Sequence, residues 1–422
     1  MKRVWLLHPA EPVPFPGPQR LFRYGTLSTM LATRGHLATQ WASTFDHFQK
    51  EQRSQSDCSV LIEPGYQLEL LSARPYCRHV GLARILSQRD VARRFRQRAL
   101  HIDRPDLILV SLPTLELAEA VLDFAEPRQI PVIVDVRDLW PDVFLTAVPQ
   151  WARGFMRPLL ATFERQARVI CQRASFLTGV SESYLEWGLA KAGRERRGLE
   201  QPYYSAYPRK TLAGRQRMEV GEKLSAAGVK PARKLRCCFF GTLGRSAGIG
   251  AIVQIAKSLR QAGHDDIEFV ICGRGPRESE VLAGAKDLPQ FRYLGWLNAD
   301  EISGLMDRSD IGLAIYEGGV LQSVPNKPVE YLAGGLSVLT TLGGELGRLL
   351  RSNGCGASFD PSQINAMCDW IVTRRHDHRL LERERDNARE LFQREFDANQ
   401  VYARMIEWME SLPSKRQGRA AA

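Results

Sequence analysis

Short, wholly apolar segments alternate along this chain with longer segments whose apolar residues recur every three or four positions. The first pattern predicts buried strands, and the second predicts helices that rest one face on a sheet. In the first half of the chain, strands are predicted at residues 4–7, 38–42, 105–111, 131–136 and 174–180, with helices at 20–34, 115–125 and a long one ending near 171. In the second half, strands are predicted at 235–240, 267–272, 291–297, 311–315 and 336–340, with helices at 249–262, 299–306 and 380–412.

Strands that are apolar on both faces and alternate with helices are typical of parallel sheets in α/β proteins. The stretch 193–217 is rich in arginine, proline and glycine, lacks periodicity and separates the two series. A chain of 422 residues is long enough for two or three domains. The pattern therefore predicts two doubly wound α/β domains joined by a linker.

Polar residues follow two of the strands in the first half. Gly17, Gln19 and Arg20 come after the first strand, and Arg137 and Asp138 come directly after the strand 131–136. Ligands collect at the carboxyl ends of parallel strands, so these residues are candidates for a binding site. Asp138 would accept a hydrogen bond or a proton, and Arg137 would hold an anionic group. The alternative is a salt bridge that only fixes the loop.

Glycines follow the strands of the second half, at Gly241 to Gly248 and at Gly273. They let the backbone approach a diphosphate closely, and Arg245 and Lys327 would neutralise its charge.

Lys327 lies in the stretch from Leu321 to Gly335, which predicts a loop followed by a helix that begins near Pro328. A helix N-terminus presents free N–H groups to an anion. Glu330, one turn into the helix, would accept hydrogen bonds from sugar hydroxyls. The alternative is an ordinary helix with a surface lysine.

The formal net charge of +11 indicates an anionic partner. Between Ser72 and Arg104, nine arginines stand against Asp90 and Asp103, with apolar residues interleaved near helical spacing. Such a basic amphipathic helix is suited to an anionic membrane surface. The alternative is a solvated helix packed on its own domain. Nucleic acid is a weaker interpretation, because aromatic residues are sparse in this segment and no nucleic-acid-binding motif is found.

The eight cysteines form no C-x-x-C pair, so reduced thiols are expected rather than a disulfide framework or a zinc site. The apolar run after Lys2 and Arg3 is too short for a signal peptide, and no run approaches the ~18 residues of a membrane span. These observations predict a cytoplasmic protein.

The order of the motifs resembles that of the retaining glycosyltransferases of family 4, which have the GT-B architecture of two Rossmann-like domains facing a cleft. Within that family the chain is most similar to the branch that builds bacterial surface polysaccharides such as colanic acid, O-antigen and capsule. The segments that carry the resemblance are 19–21, 43–47, 135–141, 241–244 and 323–332.

The resemblance implies a nucleoside-diphosphate sugar donor, with UDP as the expected nucleotide, bound by a domain at 213–388. It implies an acceptor-binding domain at 1–212, completed by a helix at 389–412 that crosses back to it, and a basic tail at 413–422. The acceptor would be a lipid-linked saccharide at the anionic inner leaflet of the cytoplasmic membrane. Transfer would retain the anomeric configuration without a catalytic metal or cofactor, and no nucleic acid would take part.

Two positions depart from the family pattern. Glu330 matches the second glutamate of the family's E-x7-E signature, but the first position is occupied by Gln322. Arg137, followed by Asp138, stands where many members have a histidine. No acid–base pair is evident. The absence of such a pair is consistent with a front-face mechanism in which the leaving diphosphate takes the acceptor proton.

The expected site residues fall into four groups. The catalytic group is Arg137, Asp138, Gln322 and Glu330. The donor group is Gly17, Gly241, Thr242, Gly244, Arg245, Gly273, Trp296, Leu297, Val324, Pro325, Asn326, Lys327 and Glu330. The acceptor group is Gln19, Arg20, Asp46 and His47, and the membrane group is Arg84, Arg89, Arg93, Arg94 and Arg96.

Two other classes of protein remain open. One is a GT-B enzyme, such as a nucleotide-sugar epimerase, that acts on the nucleotide sugar without an acceptor. The other is a non-catalytic basic module recruited to membranes.

Overall fold

The computed structural model describes residues 1–17, 19–78, 81–146, 148, 151, 153–209, 211–231, 234–319 and 322–413. The chain divides into two compact units. Unit 1 comprises Met1–Ser205 and the residues from Val401 onward, and unit 2 comprises Ala206–Gln400. The boundaries expected from the sequence were 212/213 and 388/389. Apart from residue 413, the expected basic tail lies outside the described residues.

Unit 1 is built on a seven-stranded sheet. Its strands are β1 (Arg3–Leu7), β2 (Leu37–Ser43), β3 (Cys58–Glu63), β4 (Tyr66–Leu71), β5 (Leu107–Leu112), β6 (Val132–Val136) and β7 (Phe176–Gly179). Their order in the sheet is β3-β4-β2-β1-β5-β6-β7, and only β3 runs antiparallel to its neighbour. The sequence pattern did not predict the hairpin of β3 and β4. β3 is an edge strand with alternating exposure, so it lacks the continuous apolar run of a central strand.

The helices of unit 1 are α1 (Arg23–Thr33), α2 (Leu82–Arg98), α3 (Leu115–Ala125), α4 (Asp142–Thr146), α5 (Arg153–Arg173), α6 (Glu182–Ala192) and the C-terminal α15 (Ala398–Ser411), which begins in unit 2. A cluster built around Trp5, Trp41 and Phe95 packs one face of the sheet against α2, α3, α5 and α6. The long helix predicted to end near residue 171 is two helices, α4 and α5.

Unit 2 has a six-stranded, wholly parallel sheet in the order β10-β9-β8-β11-β12-β13. Its strands are β8 (Arg236–Phe240), β9 (Glu268–Cys272), β10 (Phe291–Tyr293), β11 (Ile311–Ala314), β12 (Ser337–Thr340) and β13 (Gly356–Ser358). Its helices are α7 (Gly214–Ala226), α8 (Ile249–Gln261), α9 (Glu278–Asp287), α10 (Ala299–Met306), α11 (Asn326–Ala333), α12 (Gly344–Ser352), α13 (Ile364–His376) and α14 (His378–Glu395). The predicted linker 193–217 therefore ends within α7.

One glycine fixes the position of α11 on the sheet of unit 2. A Cβ atom on Gly312 of β11 would lie 2.2 Å from the ring of Tyr331 on α11. Without that atom the buried ring packs directly on the strand, and the Tyr331 hydroxyl donates to the carbonyl oxygen of Leu313 at 3.1 Å. The contact positions the helix that carries Lys327 and Glu330.

The helix predicted at 380–412 is interrupted at Phe396 and Asp397, which separate α14 from α15. The buried Phe396 anchors the break, and the Asp397 carboxylate accepts the backbone N–H of Gln400 at 3.1 Å, as a helix cap does. α15 then packs within unit 1, where the Lys2 ammonium donates to the carbonyl oxygen of Met409 at 3.0 Å. The expected return of the C-terminal helix to the first domain is confirmed, but it is made by α15 alone.

Candidate functional site

The carboxyl edge of the unit 2 sheet is formed by glycine turns that fit against one another. Gly241 follows β8 and donates its N–H to the carbonyl oxygen of Cys272 at 3.1 Å. Gly273 follows β9 and donates to the carbonyl oxygen of Gly295 at 2.7 Å. Gly241 and Gly273 have φ angles of 126° and 134°. A Cβ atom on Gly273 would lie 1.8 Å from the Gly241 carbonyl oxygen, so only glycine permits this edge.

Lys327 lies in the first turn of α11 and reaches back over this edge. Its ammonium nitrogen lies 4.3 Å from the centre of the Phe239 ring and 5.8 Å from that of Tyr316. A Cβ atom on Gly241 would lie 2.6 Å from Cε of Lys327, so the lysine stem rests directly on the glycine turn. Burial lowers the pKa of Lys327 to about 8, although the nearby Glu330 carboxylate opposes the shift. A bound anion would restore the full charge.

A hydrogen bond to helix α12 fixes the loop before α11. The Ser323 hydroxyl donates to Glu345 at 2.6 Å, and Glu345 is a buried carboxylate in the first turn of α12. Gln322 and Asn326 are exposed, Val324, Pro325 and Glu330 are half-buried, and Leu321 lies outside the described residues. The loop and the helix start are therefore accessible to a ligand.

Most of the remaining donor-group residues are accessible at the same edge. Thr242 and Arg245 are exposed, and Gly244 is half-buried. The Trp296 side chain is 64% exposed beyond the end of β10. Leu297 differs, because its side chain is buried and lines a cavity with Leu224 of α7. Only the backbone of Leu297 is therefore available to a ligand at this edge.

The carboxyl edge of the unit 1 sheet holds a buried cluster of charges. Arg137, after β6, pairs with the buried Glu11 in the loop after β1. Burial alone would lower the pKa of Arg137, but the carboxylates of Glu11 and Asp135 outweigh it and raise the pKa. The positive charge of Arg137 is therefore largely compensated within the protein. Arg137 therefore forms a salt bridge, with Glu11, as the alternative interpretation of the sequence had it.

A second ion pair lies beneath Arg137. Arg23 of α1 contacts both oxygens of Asp135 at 3.0 and 3.1 Å, and the Tyr24 hydroxyl donates to Asp135 at 3.3 Å. His8 Nδ1 accepts the backbone N–H of Glu11 at 3.1 Å, and burial together with Arg137 lowers the pKa of His8 well below its usual range. The imidazole is therefore neutral, with its proton on Nε2.

Asp138 lies at the rim of this edge, and the pKa of its carboxyl group is raised by burial. Two smaller effects oppose this rise. The backbone N–H of Leu139 donates to Oδ1 at 2.8 Å, and the positive charge of Arg84 lies nearby. Arg84, expected in the membrane group, is half-buried and stacks over the Trp140 ring at 5.1 Å. Arg84 therefore belongs to this edge rather than to the exposed face of α2.

The acceptor group separates into two sets. Asp46 is buried, and it accepts from Arg53 at 2.7 Å and from the backbone N–H groups of Phe48 and Gln49 at 2.7 and 2.9 Å. Burial works against ionisation of Asp46, but these bonds lower its pKa. Asp46 therefore organises its own loop, and its expected contact with an acceptor stays a prediction.

The other members of the acceptor group remain accessible. His47 Nδ1 lies 2.6 Å from the Tyr76 hydroxyl, and Lys50 lies over the Tyr76 ring at 4.7 Å. Arg20 is exposed, and Gln19 is half-buried. Gly17, expected at the donor, is half-buried in the same loop as Gln19, within unit 1 rather than at the edge of unit 2.

The arginines of α2 lie near acidic residues, of which Asp57, Glu116 and Asp123 lie outside α2 and Asp90 is on α2 itself. Arg89 lies 3.8 Å from Glu116, Arg93 3.6 Å from Asp90, Arg94 4.0 Å from Asp57 and Arg96 3.3 Å from Asp123. All four arginine side chains keep at least 42% exposure. The positive excess predicted for this segment is therefore smaller in the folded protein than in the sequence.

Sequence reasoning missed Glu11, Arg23, Tyr24 and Glu345. Asp135 could have indicated a buried cation in unit 1, because an aspartate inside a wholly buried strand requires a buried partner. Within the described residues, no group of three or more His, Cys, Asp or Glu side chains is arranged to hold a metal ion. None of the described helices combines the length and the apolar character needed to cross a bilayer.

Residues 234–376 match the sequence profile of the family described as glycosyl transferases group 1. This segment contains the glycine turns, Lys327, Glu330 and Glu345. No curated protein sequence matches the chain.

Solved structures resemble the chain over nearly its whole length. Sucrose-phosphate synthase from Thermosynechococcus elongatus has a TM-score of 0.69 at 15% identity, covering 100% of both chains. Anabaena HepE in complex with UDP has a TM-score of 0.66 at 16% identity, covering 98% of this chain and 100% of its own. WaaG, a glycosyltransferase involved in lipopolysaccharide biosynthesis, has a TM-score of 0.60 at 14% identity, covering 95% and 98%. The fold is GT-B, as the sequence predicted.

Proposed function

We propose that this protein is a glycosyltransferase that transfers a sugar from a UDP-sugar to a lipid-linked saccharide, with retained anomeric configuration and without a catalytic metal. The observation that carries the proposal is the placement of Lys327 and Glu330. They lie one turn apart on α11, Lys327 rests on the Gly241 turn, and both fall within the matched segment. Anabaena HepE, a structural neighbour, is in complex with UDP.

In the proposed donor complex, the diphosphate lies against the Gly241 turn and the start of α11. Lys327 and the free N–H groups of the helix start balance its charge. Glu330 and Gln322 accept or donate hydrogen bonds to donor hydroxyls, and Trp296 lies at the rim beyond β10. Gln322 cannot carry the negative charge of the glutamate that the family signature has at this position.

In the proposed chemical step, the bond between the anomeric carbon and the diphosphate oxygen breaks. The acceptor hydroxyl oxygen bonds to the anomeric carbon from the same face, and its proton passes to the leaving diphosphate. Lys327 stabilises the negative charge that develops on the diphosphate. At the unit 1 edge, Asp138 accepts a hydrogen bond from the acceptor, and Arg137 is held in place by Glu11.

We place the protein in the synthesis of a bacterial surface polysaccharide such as lipopolysaccharide O-antigen or capsule, at the cytoplasmic face of the membrane. WaaG, a structural neighbour, is involved in lipopolysaccharide biosynthesis. The exposed Arg89, Arg93, Arg94 and Arg96 of α2 would face anionic headgroups, although their ion pairs reduce the available charge.

The test is a thermal-shift panel with UDP, GDP, ADP and TDP. A nucleotide at 100 times its Kd adds ~2.7 kcal/mol to the folded state. UDP should raise the Tm of the wild type, and Lys327→Ala and Glu330→Ala should weaken the shift. Lys257→Ala and Glu382→Ala, at exposed positions on α8 and α14, are the matched controls and should respond like the wild type.

Enzymatic transfer is then tested with UDP-sugars and lipid-linked acceptors. Turnover of the donor alone to an isomeric nucleotide sugar would favour the epimerase class instead. Absence of any nucleotide shift up to millimolar concentration, with vesicles present, would favour the non-catalytic basic module.

A further inference from the structure

A narrow pocket lies at the carboxyl edge of the unit 1 sheet. Its walls include the ends of three neighbouring parallel strands: Pro9 and Ala10 follow β1, Ser43 ends β2 and Thr114 follows β5. β1 lies between β2 and β5 in the sheet, so the connections after β1 and after β5 run to opposite sides. Ligands of open α/β sheets bind in the crevice at such a switch point.

The first turns of α2 supply a polar wall to this pocket. Arg84, Ser87, Gln88 and Val91 line it, and their spacing of three, four and seven residues places them on one face of the helix. The inward face of a helix is ordinarily apolar, as it is further along α2 at Val91 and Phe95. Three polar residues on this face therefore require a reason.

Two of these polar side chains are buried and have no partner in the protein. Ser87 and Gln88 are 4% and 8% exposed. In the part of the chain that the structure describes, neither the Ser87 hydroxyl nor the Gln88 amide makes a hydrogen bond. Leaving a buried donor or acceptor unsatisfied is costly, so both groups are placed to bind something that enters the pocket.

The surroundings of the pocket are positively charged. Arg84 lines it beside Tyr76, and Lys50 lies over the Tyr76 ring at 4.7 Å. Burial and the nearby charge of Arg84 both lower the pKa of Lys50. The two cations therefore lie close enough to repel each other, and an anion in the pocket would relieve that repulsion.

The acidic residues of this edge leave most of that positive charge in place. Asp46 is engaged by Arg53 at 2.7 Å, and Glu11 is engaged by Arg137. Asp138 also acts on Arg84, but burial raises the pKa of its carboxyl group and so works against its negative charge.

The size of the pocket limits which anionic group can enter it. Its volume is about 20 Å³, which is room for one group the size of a water molecule. One oxygen of a carboxylate fits such a space, whereas a phosphate with its three terminal oxygens is too bulky. The Ser87 hydroxyl, the Gln88 amide and the Arg84 guanidinium can all donate hydrogen bonds to a carboxylate.

We propose that this pocket binds the carboxylate of a uronic acid residue in the acceptor saccharide. Arg84 and Gln88 donate to the carboxylate, and the sugar lies beside Asp138, because Arg84 stacks on Trp140 two residues further along the chain. The inference rests on the proposed transferase function and adds to it the chemical class of the acceptor.

The test is a ligand-observed NMR titration of the full chain with methyl glucuronoside and methyl galacturonoside. Each is compared with the neutral methyl glycoside of the same ring. At least one uronoside should bind about tenfold more tightly than its neutral partner, because hydrogen bonds to a charged acceptor are the stronger ones. Glucose 6-phosphate, which carries its anionic group on the same carbon, should bind more weakly than that uronoside.

Gln88→Met keeps the side-chain volume and removes the amide donor. It should weaken uronoside binding about tenfold and leave binding of the neutral glycoside unchanged. Its Tm should be no lower than that of the wild type, because the replaced group is buried without a partner. Arg84→Gln, which removes the charge, should weaken uronoside binding at least as much. Gln97→Met and Arg89→Gln, at exposed positions of α2, are the matched controls and should bind like the wild type.

Equal binding of every uronoside and its neutral partner would overturn the inference, as would tighter binding of glucose 6-phosphate. Unchanged uronoside binding by both Gln88→Met and Arg84→Gln would also overturn it. The UDP thermal shift separates this inference from the proposed function. Uronoside selectivity without any nucleotide shift removes only the transferase, whereas a normal UDP shift without uronoside selectivity removes only the acidic acceptor.

Discussion

Arg23 and Asp135 form an ion pair at 3.0 Å inside unit 1, with side-chain exposures of 1% and 0%. Arg23 also donates to the carbonyl oxygen of Tyr204 at 2.9 Å, so the pair connects α1 and β6 to the segment that follows α6. Removing one partner of such a pair leaves a buried charge without compensation.

We therefore expect Asp135→Asn and Arg23→Met each to lower the free energy of unfolding by ~3–5 kcal/mol. Urea unfolding followed by circular dichroism measures this loss. Glu219→Ala, which removes the exposed Arg215–Glu219 pair on α7, is the control and should change the free energy by less than about 1 kcal/mol. Similar losses in the buried and exposed pairs would contradict the structural role of Arg23.

The pKa of Lys327, about 8, predicts a pH dependence of nucleotide binding. The ammonium group is charged below this pH and neutral above it. UDP keeps its full phosphate charge over this range, because the second phosphate pKa is ≈ 6. Its affinity should therefore fall roughly tenfold between pH 7 and 9. Isothermal titration calorimetry measures the change.

Lys327→Arg is the matched control for this pH effect, because arginine stays charged throughout the range. Its affinity for UDP should vary much less between pH 7 and 9. A wild type and a Lys327→Arg variant with the same pH profile would show that Lys327 does not touch the diphosphate.

Gly312→Ala should disturb α11, because the added Cβ atom would lie 2.2 Å from the Tyr331 ring. Overpacking of this kind costs about 1–3 kcal/mol, and the displaced helix should also weaken the UDP-induced rise in Tm. Gly250→Ala is the control: it lies in α8, and its added Cβ atom would meet atoms no nearer than 3.6 Å. That change should alter the free energy of unfolding by less than about 0.5 kcal/mol, because Gly250 is exposed in the first turn of α8. Equal effects of the two substitutions would argue against the role of Gly312.

Asp138→Asn should leave the stability of the protein unchanged or higher at pH 7 but reduce its transferase activity. Burial raises the pKa of Asp138, so the folded state disfavours its ionised form. The ionised carboxylate therefore lowers stability at pH 7, and this loss diminishes as the pH falls through the folded pKa. We expect Asp138→Asn to be at least as stable as the wild type at pH 7, with a smaller difference at pH 4. Transfer to the acceptor should be reduced. A destabilised variant with normal transfer would assign Asp138 a purely structural role.

The sequence pattern was most informative where strands are wholly buried. β5, β6, β8 and β9 have continuous apolar runs, and the structure places strands there. It failed at the edge strand β3 and at α7, whose one fully buried residue is Leu224. It also missed β4, which is almost fully buried but whose apolar run is interrupted by Gln67 and Glu69. Elements with little burial leave a weak periodic signal, because solvent accepts many residue types.

For the candidate site, the sequence predicted Lys327, Glu330 and the glycine turns as donor-binding residues, and the structure places Lys327 against the turn at Gly241. Their role in donor binding stays a prediction. It could not show that Arg137 is paired with Glu11, which lies 126 positions away. The charge of the segment 72–104 was likewise overestimated, because acidic partners such as Asp57, Glu116 and Asp123 come from other parts of the chain.

The sequence by itself determined the two α/β series, the glycine-rich edge of the second and the apolar character of the central strands. These properties depend on local conformational preference and on burial of apolar surface, both of which are written in consecutive residues. Only the tertiary structure decided which charges compensate one another and which arginines remain exposed. Those outcomes depend on distances between residues far apart in the chain, because ion pairing and burial act through space.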